Sequence, residues 1–167
     1  MEKEYKKVAN WVTPKKKHGL PVFPEEIVMG GMTADGETLY VARAEHDNDT
    51  LPGKVQQNHS HCYVGYNGEE YSKESYKVLV NPAKSNLDWV AASGGSVPAG
   101  ALQGGRTAEG EALFIGRCKH GGDTVCGKSF QSPFRHHIDS TKVIFDLAYG
   151  EKSPGSKSGA RGGFGRT

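Results

Sequence analysis

The chain repeats itself. Shifted by 74 residues, positions 28–54 fall on positions 102–128 without a gap, VMGGMTADGETLYVARAEHDNDTLPGK over LQGGRTAEGEALFIGRCKHGGDTVCGK. Thirteen of the 27 paired positions are identical, and five more are close exchanges such as Tyr40 with Phe114 and Val41 with Ile115. Self-similarity at a fixed spacing constrains the fold more than any other feature, because two copies of one unit must bury the same kind of surface twice. The likeness reaches outward, since Trp11-Val12 matches Trp89-Val90, and the strand-like run from Tyr76 to Val80 resembles that from Thr141 to Phe145. The copies differ at one end. Lys54 to Lys77 spans 23 residues but Lys128 to Lys142 only 14, and the missing part corresponds to the hairpin-like run at residues 63–71.

The unit reads as β. Leu39 and Val41 alternate with Tyr40 and Ala42, the period of a sheet. Asn67-Gly68 between aromatic-rich flanks is a strong hairpin signal, because a type I′ turn needs two residues that tolerate positive φ. Gly30-Gly31 with Asp35-Gly36, and Gly104-Gly105 with Glu109-Gly110, bracket short segments in the manner of turns. Pro21, Pro24, Pro82 and Pro98 break any helix nearby, and no window carries a helical period. With 23 glycines in 167 residues and 35% hydrophobic residues, the composition suits many short strands better than a helical bundle. From Gly150 onward a Gly/Ser/Lys tail has almost nothing apolar and is expected to be disordered.

A net charge of +2 gives no global pull toward nucleic acid or a membrane, although Lys15-Lys16-Lys17 concentrates positive charge locally. The N-terminus is charged from its second residue and lacks the apolar core of a secretory signal, and no stretch approaches a membrane span. Three cysteines, Cys62, Cys118 and Cys126, are an odd number at irregular spacing, which argues against a disulfide framework. The expected setting is reduced and cytoplasmic, with vesicle association or signal-independent export as further possibilities.

Several separated motifs occur in the same order. They are a Trp-led strand, Val97-Pro98-Ala99-Gly100-Ala101, the Leu39-Tyr40-Val41-Ala42-Arg43 strand with its partner Leu113-Phe114-Ile115-Gly116-Arg117, and Pro52-Gly53-Lys54 with Gly127-Lys128. Over roughly residues 11–148 this pattern resembles the DM9 (DM-nine) repeat family. The resemblance implies a compact all-β protein of two interlocked repeats, often dimeric. For its lectin-like invertebrate members it implies mannose-type carbohydrate recognition in innate defence, and other members respond to pathogens or sit in intracellular vesicles. In the lectin-like members an acidic residue after the Gly pair and the lysine of Pro-Gly-Lys hold the sugar. Lys54 and Lys128 match that lysine, whereas Thr33 and Thr107 stand at the acidic position, with Asp35 and Glu109 two residues on.

The residues themselves allow more than one reading. Lys54 and Lys128 follow a glycine and lie near Asp49-Thr50 and Asp123-Thr124. A lysine beside a carboxylate can donate to and accept from neighbouring sugar hydroxyls, with Tyr40 or Phe114 against an apolar sugar face. The plainer reading is a surface ion pair closing a turn, which contributes little. Arg43 and Arg117 suit bracing of the loop at Glu37 or Asp49 through a bidentate pair, or ligand binding, and His46 and His120 suit a structural role. His59, His61 and Cys62, with His136-His137 elsewhere, lack the spacing of a zinc site. Cys62 beside His61 has no nucleophile elbow, so no catalytic residue, metal or cofactor is expected. The tail around Arg161 and Arg166 resembles a short Arg-Gly segment of RNA-associated proteins, but a flexible solubilising end accounts for it better.

The expectation is therefore an all-β, non-enzymatic recognition protein, with a first repeat at 1–80, a trimmed second repeat at 81–149 and a tail at 150–167. A shallow glycan site in each repeat would use Thr33, Asp35, Asp49 and Lys54, and Thr107, Glu109, Asp123 and Lys128. Mannose-type glycans and a second copy of the chain are the expected partners, with avidity from paired sites. The rival expectation is an intracellular interaction or vesicle-trafficking scaffold that binds no sugar.

Overall fold

The computed structural model describes residues 9–84, 87–91, 100–130 and 142–146. The expected disordered tail, the Val97-Pro98 motif and His136-His137 lie outside these residues. In chain order the strands are β1 (Asn10–Val12), β2 (Lys15–Lys17), β3 (Leu20–Val22), β4 (Met29–Met32), β5 (Thr38–His46), β6 (Asp49–Gln56) and β7 (Cys62–Tyr66). They continue as β8 (Glu69–Lys73), β9 (Lys77–Val80), β10 (Leu87–Ala91), β11 (Gln103–Arg106), β12 (Ala112–His120), β13 (Asp123–Phe130) and β14 (Lys142–Asp146). The described residues contain no helix, so none is long and apolar enough to cross a membrane. The all-β expectation holds.

Each copy is built on one long hairpin, β5–β6 or β12–β13, paired along its whole length. The turns are two residues with positive φ, Asp47 (55°) and Asn48 (69°) in one copy and Gly121 (57°) and Gly122 (94°) in the other. That conformation matches the twist of the flanking strands. Asn67 (52°) and Gly68 (79°) form the turn expected of them, between β7 and β8. The second edge of β5 is divided between β4 and β9, with β1 outside β9. The second edge of β12 is divided in the same way between β11 and β14, with β10 outside β14.

The copies join by exchange. β4 continues onto β13 at Met32↔Thr124, and β11 onto β6 at Arg106↔Thr50. Pairing thus runs β5, β4, β13, β12, β11, β6 and back to β5, a closed ring with no raw edge between the copies. Two hydrogen bonds repeat the exchange with side chains. Asp123 Oδ1 accepts from Ala34 N at 2.7 Å, and Asp49 Oδ1 accepts from Ala108 N at 2.8 Å.

The glycine pairs expected at turns are strand residues. A Cβ on Gly31 would collide with the Thr124 carbonyl oxygen, and one on Gly105 with that of Thr50. A Cβ on Gly30 would strike Cys126, and one on Gly104 Ile115 and Pro52. Each pair is the place where the other copy's backbone passes closest, which only glycine permits. The turns follow four residues later, at Asp35-Gly36 and Glu109-Gly110, where Gly36 and Gly110 donate to the carbonyls of Thr33 and Thr107.

The core is shared as well. Successive residues of β5 face opposite ways, so Val41 enters one cluster with Leu79, Ile115 and Cys126, while Ala42 and Ala44 enter another with Leu51, Val55, Cys62 and Val78. Leu113 of the second copy is fully buried in that second cluster. Neither copy owns a complete core, so the halves fold as one unit. The arginines do not brace Glu37 or Asp49 through ion pairs as expected. Arg43 lies 4.4 Å from the Trp11 ring centroid and donates to the Gly104 carbonyl at 3.3 Å, and Arg117 lies 4.5 Å from the Trp89 ring centroid. A guanidinium is weakly hydrated and stacks readily on an indole. Burial lowers both arginines from their ordinary pKa, partly offset by Glu45 for Arg43 and by Cys126 and Asp88 for Arg117.

Candidate ligand cleft at the junction of the copies

β6 and β13 meet where Pro52-Gly53-Lys54 and Cys126-Gly127-Lys128 run past one another. A cleft of about 420 Å³ opens there and is roofed by the β7–β8 hairpin. The β7 backbone lies close against β6 here because Gly53 has no side chain, and a Cβ there would collide with the Tyr63 carbonyl oxygen. Cys126 seals the floor. It is buried, its Sγ approaches the carbonyls of Gly53 (3.6 Å) and Tyr40 (3.7 Å), and burial pushes its thiol up to about 12.

Both lysines line this one cleft. Lys54 Nζ lies 2.6 Å from Glu70 Oε2, and its side chain remains 24% exposed. Lys128 is 6% exposed, donates to the Gly65 carbonyl oxygen at 2.6 Å and sits 5.7 Å from the centroid of Tyr66. Glu69 and Tyr63 complete the polar and aromatic lining. Tyr66 is held from outside: its hydroxyl donates to Asp47 Oδ2 at 3.2 Å and its ring meets His46 edge-on at 4.8 Å, while Tyr71 stacks on His46 at 4.2 Å. Desolvation, and then the charges of Asp47, Asp49 and Glu109, raise the Tyr66 hydroxyl from its usual pKa.

The remaining expected residues fall elsewhere. Thr33 and Thr107 cap their turns, each hydroxyl accepting from the amide four residues on (Glu37 and Glu111, both 3.0 Å). Asp49 and Asp123 spend an oxygen on the other copy's turn, so the turn of one copy is tied to the loop of the other. Asp35 lies on the first of these turns, while Glu109, on the second, is close enough to act on Tyr66. Tyr40 packs against Phe23 at 5.2 Å, away from the cleft, so the aromatic surface there comes from Tyr63 and Tyr66. These two and Glu69 and Glu70 were not expected. The signal was available, because the hairpin that carries them is what the second copy lacks.

A nucleophile at Cys62 finds no support. Its side chain is fully buried and its thiol is pushed up to about 12 by burial, while His61 Nδ1 faces Ser60 Oγ at 2.8 Å. Among the described residues no three His, Cys, Asp or Glu side chains gather where they could hold a metal ion.

Fold and cleft together define a duplicated, all-β protein. The chain belongs to the DM9 repeat family, whose model matches residues 6–72 and 33–139. The DM9 repeat is a lectin-like, binding-type domain rather than an enzyme family. A search of curated proteins found no match to this chain.

Proposed function

We propose that this DM9 repeat protein is a non-enzymatic carbohydrate-recognition protein, and that it takes mannose-type glycans in the cleft between Lys54 and the β7–β8 hairpin. One observation carries the reading: a partly exposed lysine and a carboxylate, Lys54 and Glu70, stand 2.6 Å apart in a cleft also lined by Tyr63 and Tyr66. Lysine donates only and carboxylate accepts only, so together they match both halves of a vicinal diol, while a tyrosine ring suits the apolar face of a pyranose. Lys128 is already engaged by Gly65, so the site is asymmetric and each chain carries one. Pairing of chains would supply the avidity that a single shallow site lacks.

Calorimetric titration of the intact protein with mannose and with mannan tests this. Saturable binding near one site per chain is expected, lost in Lys54→Ala and in Glu70→Gln while both variants keep the native circular dichroism. No saturable binding, or binding indifferent to both substitutions, would overturn the proposal.

A further inference from the structure

We infer that the β2–β3 hairpin is a docking element for anionic lipid bilayers, separate from the glycan cleft. The two strands form their own small sheet and pair with no other strand among the described residues. The tight turn at His18 (φ 54°) and Gly19 (φ 80°) fixes the tip, and buried Pro14 roots the base. Lys15 pairs with Val22 and Lys17 with Leu20, and cross-strand partners share a face. That face therefore carries two lysines and two aliphatic side chains together. Lys16 points the other way, into a recess with Thr13, Glu74 and Ser75.

Leu20 and Val22 are 44% and 50% exposed and stand together on one face rather than scattered singly. From Pro14 to Pro24 the chain has three lysines and no Asp or Glu, although the net charge of the whole protein is only +2, and Glu74 lines the recess on the Lys16 side. Aliphatic side chains along one exposed face of a hairpin enter the boundary between headgroups and acyl chains, and neighbouring lysines lay their stems along it with ammonium groups at the phosphates. A protein partner fits less well. A stable protein interface needs about 800 Å² on each side, which a face of four side chains does not offer, whereas a bilayer requires no matching shape.

The test is flotation of the full chain with vesicles of phosphatidylcholine alone or mixed with phosphatidylserine, at low and high salt. Binding is expected only to the mixed vesicles, weakened about tenfold or more by Lys15→Ala with Lys17→Ala, by Leu20→Ser with Val22→Ser, and by high salt. All four positions are exposed, so the variants should fold, and mannan titration should be unchanged in both. No binding to the mixed vesicles, equal binding to neutral ones, or insensitivity to the lysine pair would overturn the proposal. Loss with the lysine pair but not with the aliphatic pair would also overturn it, by marking a general polyanion site. A failure of mannan binding in the parent protein would count against the glycan cleft and leave this hairpin untouched.

Discussion

Asp49 and Asp123 occupy equivalent places in the two copies and do the same thing, whereas Lys54 and Lys128 occupy equivalent places and do different things. Each aspartate reaches across to an amide of the other copy's turn, at 2.8 and 2.7 Å. One lysine meets a carboxylate and stays partly open, while the other is buried against a backbone carbonyl. The hairpin from Cys62 to Lys73 explains the contrast, because one copy supplies it and it bends over a junction that is otherwise two-fold. Contacts repeated in both copies maintain the ring, and the broken repetition coincides with the cleft proposed to take a glycan.

The repeated contacts can be attacked in pairs. Gly31→Ala and Gly105→Ala each drive a methyl into a carbonyl oxygen of the other copy, an obstacle that cannot rotate away. Each should cost about 3 kcal/mol or more, read as a fall in the thermal midpoint, and the two falls should match. One tolerated substitution beside one lethal one would break the equivalence of the crossings.

The next effect belongs to a position where the copies differ, since Cys126 stands where the first has Pro52. Burial raises the thiols of Cys62 and Cys126 to about 12, and that of the Tyr76 hydroxyl likewise to about 12. A folded pKa above the unfolded one gives stability that is complete below the unfolded pKa, near 9 for the thiols, and lost as pH rises toward about 12. Urea unfolding should therefore weaken by roughly 1.4 kcal/mol per thiol for each pH unit above that point. Cys126→Ala should remove about half of this slope below pH 10, before Tyr76 begins to contribute, and an unchanged slope would show that the site titrates freely. The aspartates follow. Asp49→Ala and Asp123→Ala should each cost about 1–2 kcal/mol, again equally, and unequal costs would show one crossing to be the weaker.

Much of this ring is legible in the sequence. The offset of 74 residues aligned the strands that proved equivalent, and Asn67-Gly68 marked its hairpin. The glycine pairs misled, because a glycine demanded by a neighbouring backbone looks like one demanded by a turn, and only the exchange of strands distinguishes them. Arg43 was read for its charge, while its stacking on Trp11 depends on two segments 32 residues apart in sequence meeting through β9. The cleft was half legible. A match between repeats identifies Lys54 and Lys128, but sequence places them in separate copies, and only three-dimensional closure brings them to one opening.

The smallest effects test that opening most directly. Lys54→Met and Lys128→Met keep the aliphatic stem and remove the ammonium, so each isolates the charge. At Lys54 the loss is a partly exposed ion pair, and stability should change by less than about 1 kcal/mol. At Lys128 the same change removes a charge-assisted, part-buried hydrogen bond to the Gly65 carbonyl and should cost about 1–3 kcal/mol. Glycan binding should order them the other way, abolished at Lys54 and merely weakened at Lys128. Equal stability costs with equal loss of binding would mean that the hairpin does not divide the lysines into a ligand-facing and a structural member.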